Sequence, residues 1–413
     1  MCATPENLTT AAQPEHPPRT TRAIWKNYGE GTTEEGSTPV GRILEDMRGC
    51  AVPKPTTGEL IGQLRELVHT ESPAGDLPHL NRCADLVAAS GEAVLGRKPQ
   101  RTNEGHLLWR AKQQRVLLLG HFDTVWPAGT IDDWPFTVVG DIASGPGTCD
   151  MKAGIVQMFA ALRGVADTDQ VGVLLTADEE HGSVTSRELI EREALRSGAV
   201  LVCEPSTPSG AVKIARRGGS LYRLTAHGRA AHAGVDPHLG VNATIELAHQ
   251  VLALHELAGD GTSVTPTMID GGTTTNTVPE RATVCVDVRA WTRDELDRVD
   301  NMIRTLAPQH PEATLSVAGG VNRYPLTTDV TLPLLDLAQL AAKDIGLAQL
   351  DSEHAPGASD GNFTGALGVP TLDGLGAVGG HAHARGEYVE VSRMPERTLL
   401  LTALIERILA VSP

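Results

Sequence analysis

Aromatic side chains are scarce: Phe, Tyr and Trp make up only 3% of the 413 residues. With Gly, Ala, Val and Leu abundant instead, the composition excludes a broad aromatic binding surface and suits closely packed helices and strands. Cysteine is sparse too. The six, Cys2, Cys50, Cys83, Cys149, Cys203 and Cys285, form no C-x-x-C pair and no cluster. That excludes a disulfide framework and a thiolate zinc site, and it fits a reducing cytoplasm. Positive charge is short as well: 35 Lys and Arg against 51 Asp and Glu leave a formal net charge of −16, which disfavours nonspecific binding to nucleic acid or to an anionic membrane. No run of about 18 apolar residues is present to span a bilayer, and Met1 to Pro18 lack the apolar core of a secretion signal. A soluble, cytoplasmic protein is expected.

What is present is size and pattern. At 413 residues and 40% hydrophobic composition, the chain exceeds what one core usually holds, so two or more domains are expected. Residues 1–55 mix Pro, Thr, Gly and charge without periodicity and read as a mobile N-terminal extension, in which Trp25 and the Ile43-Leu44 pair could dock locally. Thr56-x-x-Glu59 has capping-box spacing ahead of a helical stripe of Leu60, Ile61, Leu64, Leu67 and Val68. From there to about residue 213, apolar strands alternate with helices. This predicts a doubly wound α/β domain over 56–214 that resumes over 325–413 with helices at 332–345 and 395–410. Between these parts, 215–324 reads as strand (220–226), helix (242–257), two strands (about 264–269 and 282–289), helix (292–306) and strand (313–318). That is the βαββαβ order of a ferredoxin-like domain, inserted into the larger one.

Three apolar runs end in residues able to ligate a metal. Val116-Leu117-Leu118-Leu119-Gly120 leads to His121-Phe122-Asp123, Val171-Gly172-Val173-Leu174-Leu175-Thr176 to Asp178-Glu179-Glu180, and Ala199-Val200-Leu201-Val202-Cys203 to Glu204. In an open parallel sheet such strand ends share one crevice. Each group also has a plain structural reading. His121 and Asp123, on one face of a strand, are either a hydrogen-bonded pair or a metal-ligating His whose other ring N–H is held by a carboxylate. Asp150, after Gly145-Pro146-Gly147-Thr148-Cys149, is either a helix N-cap or a carboxylate that bridges two metals with both oxygens. Asp178-Glu179-Glu180 is either a solvated acidic turn or, if neighbours point opposite ways, a metal ligand beside a general base. Glu204 is harder to treat as surface decoration, because a buried carboxylate is costly unless paired or metal-bound. Gly379-Gly380-His381-Ala382-His383 places imidazoles on a flexible loop. The set consists of nitrogen and oxygen donors suited to zinc, with cobalt or manganese as substitutes.

Taken together, Gly120-His121-Phe122-Asp123-Thr124-Val125, Gly145 through Gly154, Thr176 through Ser183, Cys203-Glu204-Pro205, Gly228-Arg229-Ala230-Ala231-His232-Ala233-Gly234 and His383 through Val389 resemble a known family. It comprises the co-catalytic di-zinc exopeptidases and deacylases that include glutamate carboxypeptidase, aminoacylase, acetylornithine deacetylase and succinyl-diaminopimelate desuccinylase. The likeness runs from about residue 56 to the end and leans to the glutamate carboxypeptidase branch. It implies a doubly wound zinc-peptidase catalytic domain with an inserted ferredoxin-like lid and dimerisation domain, and two Zn2+ per subunit. By the same resemblance, His121 and Glu204 hold one zinc, Glu180 and His383 the other, and Asp150 bridges them. Asp123 orients His121, and Glu179 is the general base for a metal-bridging hydroxide. His232 stabilises the oxyanion, Asn276 and Arg289 contact substrate from the lid, Arg323 clamps the substrate's free carboxylate, and Lys213 favours an acidic side chain. An ion pair with Asp287 is the competing role for Arg289. His383 is chosen over His381 by the H-x-x-x-E-Y spacing to Glu387.

The implied activity is hydrolysis of an amide bond next to a free carboxylate, of metallo-carboxypeptidase type, releasing glutamate or a similar C-terminal amino acid. An N-acyl-amino-acid deacylase is the alternative, and a catalytically silent binding homologue a third, ranked below both because every implied position holds a competent residue. The implied partners are a peptide or N-acyl amino acid and a second copy of the chain.

Overall fold

The computed structural model describes residues 55–347 and 349–411. The expected N-terminal extension, with Trp25, Ile43 and Leu44, therefore lies outside the described residues except for Pro55. Contacts divide the chain into two units. Arg216–Pro325 with Pro356–Ala358 forms one, and the rest of the described chain the other.

The larger unit is built on a six-stranded sheet in the order Gln100–Arg101, Leu107–Trp109, Val171–Thr176, Val116–His121, Ala199–Val202 and Thr371–Leu372. Its four last strands are parallel, and Leu107–Trp109 runs antiparallel beside them. The three apolar runs form the central strands, and every residue of each is buried. Alternation sorts them to two faces. Val116, Leu118, Val171 and Val173 join the main core with helices Thr57–His69, Ala153–Leu162, Thr328–Asp344 and Met394–Ala410. Leu117, Leu119, Leu174, Val200 and Val202 join a second cluster with Leu189 and Ile190 of helix Arg187–Leu195 and Phe363 of helix Gly361–Ala366. Helices thus cover both faces, which is why the strands carry no polar side.

The capping box is present as read: Thr56 Oγ1 accepts from the Glu59 N–H at 3.3 Å and Glu59 Oε2 accepts from the Thr56 N–H at 3.0 Å. A four-stranded sheet was not foreseen. Gly379–Gly380, Tyr388–Glu390, Ile142–Ser144 and Thr137–Val139 pair in that order, and the 381–387 loop joins its first two strands. Strands of two or three residues leave too little periodicity to read. Helix Thr328–Asp344 starts earlier than expected and contains Pro333, whose place in the first turns leaves few amide bonds to interrupt.

The smaller unit holds strands Gly218–His227, Ser263–Gly271, Arg281–Ala290 and Thr314–Arg323 with helices Ala243–His255 and Arg293–Arg304. Its sheet order, second-third-first-fourth, is antiparallel throughout, as the split βαβ arrangement requires. Leu224, Val284, Val286 and Val288 from the sheet pack against Leu247, Leu254, Leu296, Val299 and Ile303 from the helices.

Candidate metal centre

Strand register brings the first three ligand-type groups together. His121 is the last residue of its strand and lies opposite Thr176, while Leu119 lies opposite Val202. The chain segments leading to Glu179, Glu180 and Glu204 therefore leave the sheet at nearly the same level as His121. Glu179 and Glu180 do not continue a strand with alternating directions; they open a single 3-10 turn, Glu179–His181. A turn this tight needs an acceptor for its exposed N–H groups. Asp123 supplies one, accepting from Glu179 N–H at 3.2 Å through Oδ1 and from Glu180 N–H at 3.0 Å through Oδ2.

Asp150 is not an N-cap. Its backbone is extended, at φ −113° and ψ 98°, ahead of helix Ala153–Leu162, which frees its carboxylate to face other side chains. Oδ1 lies 3.2 Å from His121 Nε2, and Oδ2 lies 3.4 Å from His383 Nε2. Glu204 Oε1 lies 3.2 Å from His121 Nε2, and Glu180 Oε2 lies 3.1 Å from His383 Nε2. Two half-sites result, His121 with Glu204 and His383 with Glu180, sharing Asp150. Donor atoms of His121, Asp150 and Glu180 all lie within 4.8 Å of one another. The 381–387 loop presents His383, not His381, to these carboxylates; the His381 ring instead packs edge-on against Tyr388 with centroids 5.7 Å apart.

Electrostatics follow from this crowding. Burial opposes a charge on His121, but its bonds to Asp123, Asp150 and Glu204 outweigh it and raise the ring well above its ordinary pKa. Asp150 and Glu180 push His383 up to about 11. Burial opposes ionisation of Asp150 too, yet the two imidazoles hold its carboxyl far below the usual range. Glu180 is pushed up to about 7, chiefly by burial and also by the nearby Asp150 charge. Three carboxylates meeting two imidazoles suit a divalent cation such as zinc in place of those protons.

His121 Nδ1 is nearer the Asp123 backbone carbonyl, at 3.0 Å, than the Asp123 carboxylate, at 3.4 Å. Either contact leaves Nε2 to face Asp150 and Glu204. Lys213 belongs to this same unit and is half-buried, its backbone N–H donating to Asp373 O at 2.8 Å. In the other unit, exposed His232 forms a β-bridge with Thr277 beside Asn276, whose carbonyl accepts from Ala233 N–H at 2.9 Å. Arg289 is bound through two nitrogens to Asp287, with Nη2 2.9 Å from Oδ2. Arg323 is buried, with Nε donating to Asn322 Oδ1 at 2.8 Å.

Sequence reading missed two buried supports. Asp360 accepts from Thr176 Oγ1 at 3.0 Å and from Ser183 Oγ, bracketing the acidic turn. His106, whose ring burial keeps below its ordinary pKa, accepts from Ala177 N–H at 3.1 Å. Both lie far in sequence from what they hold, 184 residues for Thr176 with Asp360 and 71 for Ala177 with His106, so no local pattern marks them.

Comparisons with known proteins identify the family and the fold. Residues 117–407 match the description "Peptidase family M20/M25/M40". Carboxypeptidase G2 of Pseudomonas sp. (strain RS-16) is 30% identical over 399 residues, covering 88% of this chain and 94% of that protein. Succinyl-diaminopimelate desuccinylase 2 of Shewanella loihica is 27% identical over 71% of this chain and 85% of its own. Among solved structures, a dinuclear metal binding peptidase from Bacillus subtilis superposes with a TM-score of 0.61 at 12% identity, covering 86% of this chain and 98% of that one.

Proposed function

Because the chain belongs to the peptidase family M20/M25/M40 and is a metal-dependent hydrolase, we propose that it cleaves an amide bond next to a free carboxylate, as a dinuclear metallo-carboxypeptidase. One observation carries the reading: the two oxygens of Asp150 face different imidazoles, His121 and His383, each backed by its own glutamate. Those five residues would hold two Zn2+, with Co2+ or Mn2+ as substitutes. Such cations, when bound, lower the pKa of a shared water and polarise the scissile carbonyl.

The chain's own residues do the rest. Glu179, fixed by the Asp123 bond to its N–H, takes a proton from the attacking water and passes it to the leaving nitrogen, a transfer typically worth ~10²–10⁴ in rate. Asp123 holds both the His121 ring and the acidic turn. Arg323 binds the substrate carboxylate with its planar fork, Lys213 favours an acidic side chain, His232 stabilises the oxyanion, and Asn276 and Arg289 contact substrate. The smaller unit acts as lid and dimer surface. Its edge strand Ser263–Gly271 and helix Ala243–His255 each expose large apolar side chains, Met268 and Ile269 on the strand and Ile245 and Leu252 on the helix, which a second copy would cover.

The test is a panel of peptides with C-terminal glutamate, aspartate or neutral residues, assayed with zinc-reloaded protein. No turnover on any of them, or uptake of fewer than two cations, would sink the proposal. The desuccinylase likeness favours a second reading, an N-acyl-amino-acid deacylase, and turnover of N-succinyl or N-acetyl amino acids alone would select it.

A further inference from the structure

Glu387 is fully buried, and among the described residues no cationic side chain pairs with it. Four N–H groups do so instead. Oε1 accepts from Cys149 N–H at 2.7 Å and Asp150 N–H at 2.9 Å. Oε2 accepts from Trp126 Nε1–H at 2.9 Å and Gly147 N–H at 3.1 Å. The donors come from the segment after His121 and from the loop that presents Asp150, and Glu387 itself follows His383 by four residues. Gly147 adopts φ 71°, a left-handed conformation that a side chain would strain, and a Cβ there would lie 2.5 Å from Thr124 Cγ2. The loop is thus bent to aim its amides at this carboxylate.

We propose that Glu387 is a positioning residue that sets the Asp150 carboxylate between the two half-sites and ties it to the His383 loop. The inference rests on the dinuclear reading above. Each carboxylate oxygen offers two lone-pair sites, enough to accept from both of its donors. Gln is the same size but turns an amide NH2 toward two N–H groups, leaving buried donors without acceptors. The Asp150 loop then relaxes away from its place between the imidazoles. Outer contacts of this kind typically change metal affinity by ~10–100-fold.

The experiment titrates metal-free wild-type, Glu387→Gln and Trp126→Phe proteins with Co2+, following visible d–d absorption and counting bound cobalt, with far-UV circular dichroism as the folding check. Wild type is expected to take up two cations, and folded Glu387→Gln to bind at least one of them ~10–100-fold more weakly with an altered d–d spectrum. Two cations bound by Glu387→Gln with wild-type affinity and spectrum would overturn the inference and leave the dinuclear reading standing. Fewer than two in wild type would overturn both. If Glu387→Gln does not fold, Trp126→Phe decides: weaker binding of one cation supports the tie, and unchanged binding overturns it.

Discussion

The Asp123 carboxylate holds the backbone of Glu180, accepting its N–H at 3.0 Å while the other oxygen accepts from Glu179 at 3.2 Å. A residue two positions beyond His121 thereby fixes the turn that carries both a proposed ligand and the proposed base. Asp123→Asn preserves the shape but replaces one acceptor oxygen by a donor. We expect kcat to fall ~10–100-fold together with weaker metal binding, measured by steady-state kinetics and metal titration; unchanged affinity and rate would refute this role.

Glu179 is expected to matter for rate alone. Glu179→Gln should lower kcat by ~10²–10⁴ while leaving two bound cations and KM near the wild-type value. A loss of metal in this variant would mean that Glu179 is a ligand.

The two loop histidines should separate cleanly. His383 Nε2 faces Glu180 and Asp150 at 3.1 Å and 3.4 Å, whereas the His381 ring stacks edge-on against Tyr388. His383→Ala should retain one cation and His381→Ala two, counted by elemental analysis after gel filtration. The reverse outcome would reassign the ligand.

In the metal-free protein, stability should fall as pH rises. His383 is raised to about 11 by Asp150 and Glu180, so its contribution is complete below its unfolded pKa of ~6.5 and is lost on approach to that folded value. Glu180, raised by burial from 4.5 to about 7, extends the trend to lower pH, its contribution being complete below the ordinary value and lost as pH rises to the folded one. Melting of chelated protein should therefore shift to lower temperature across this alkaline window, with a shallower decline in His383→Ala. Equal slopes would contradict the assignment.

Gly154 is a steric requirement. A Cβ there would lie 2.0 Å from the carbonyl oxygen of Cys203, the residue before Glu204. Gly154→Ala should therefore push helix Ala153–Leu162 away from that segment and cost ~1–3 kcal/mol of overpacking strain. Denaturant melts with an unchanged free energy of unfolding would show that the contact relaxes.

Much of the fold was legible because burial leaves a local record. Strands covered on both faces must be apolar throughout, so Val116–His121, Val171–Thr176 and Ala199–Val202 stood out as continuous runs. In the smaller unit, strand and helix periods alternate over segments of 9–13 residues, long enough to be read. The sheet joining Ile142–Ser144 to Tyr388–Glu390 was not legible, since pairs two or three residues long carry no period of their own.

For the candidate site, residue type was legible and arrangement was not. His121, Glu180, Glu204 and Asp150 stand out as polar groups next to apolar runs or glycine-rich turns, because lone polar groups there are costly unless they have partners. Local rules nevertheless misdirected two of them. Strand alternation does not govern Glu179 and Glu180, which form a 3-10 turn, and capping does not govern Asp150, whose backbone is extended.

Residue order and composition were enough to set the α/β class, the split βαβ pattern of the middle segment and the chemistry of the donor set, since each depends on neighbours within a few positions. Which oxygen of Asp150 faces which imidazole, why His383 and not His381 reaches the carboxylates, and how Glu387 gathers the indole N–H of Trp126 and the amides of residues 147, 149 and 150 were set by folding. Those bonds span separations of 237 to 261 residues for Glu387 and 203 for His383 with Glu180. Contacts at such range depend on strand register and loop packing, which leave no periodic trace along the chain.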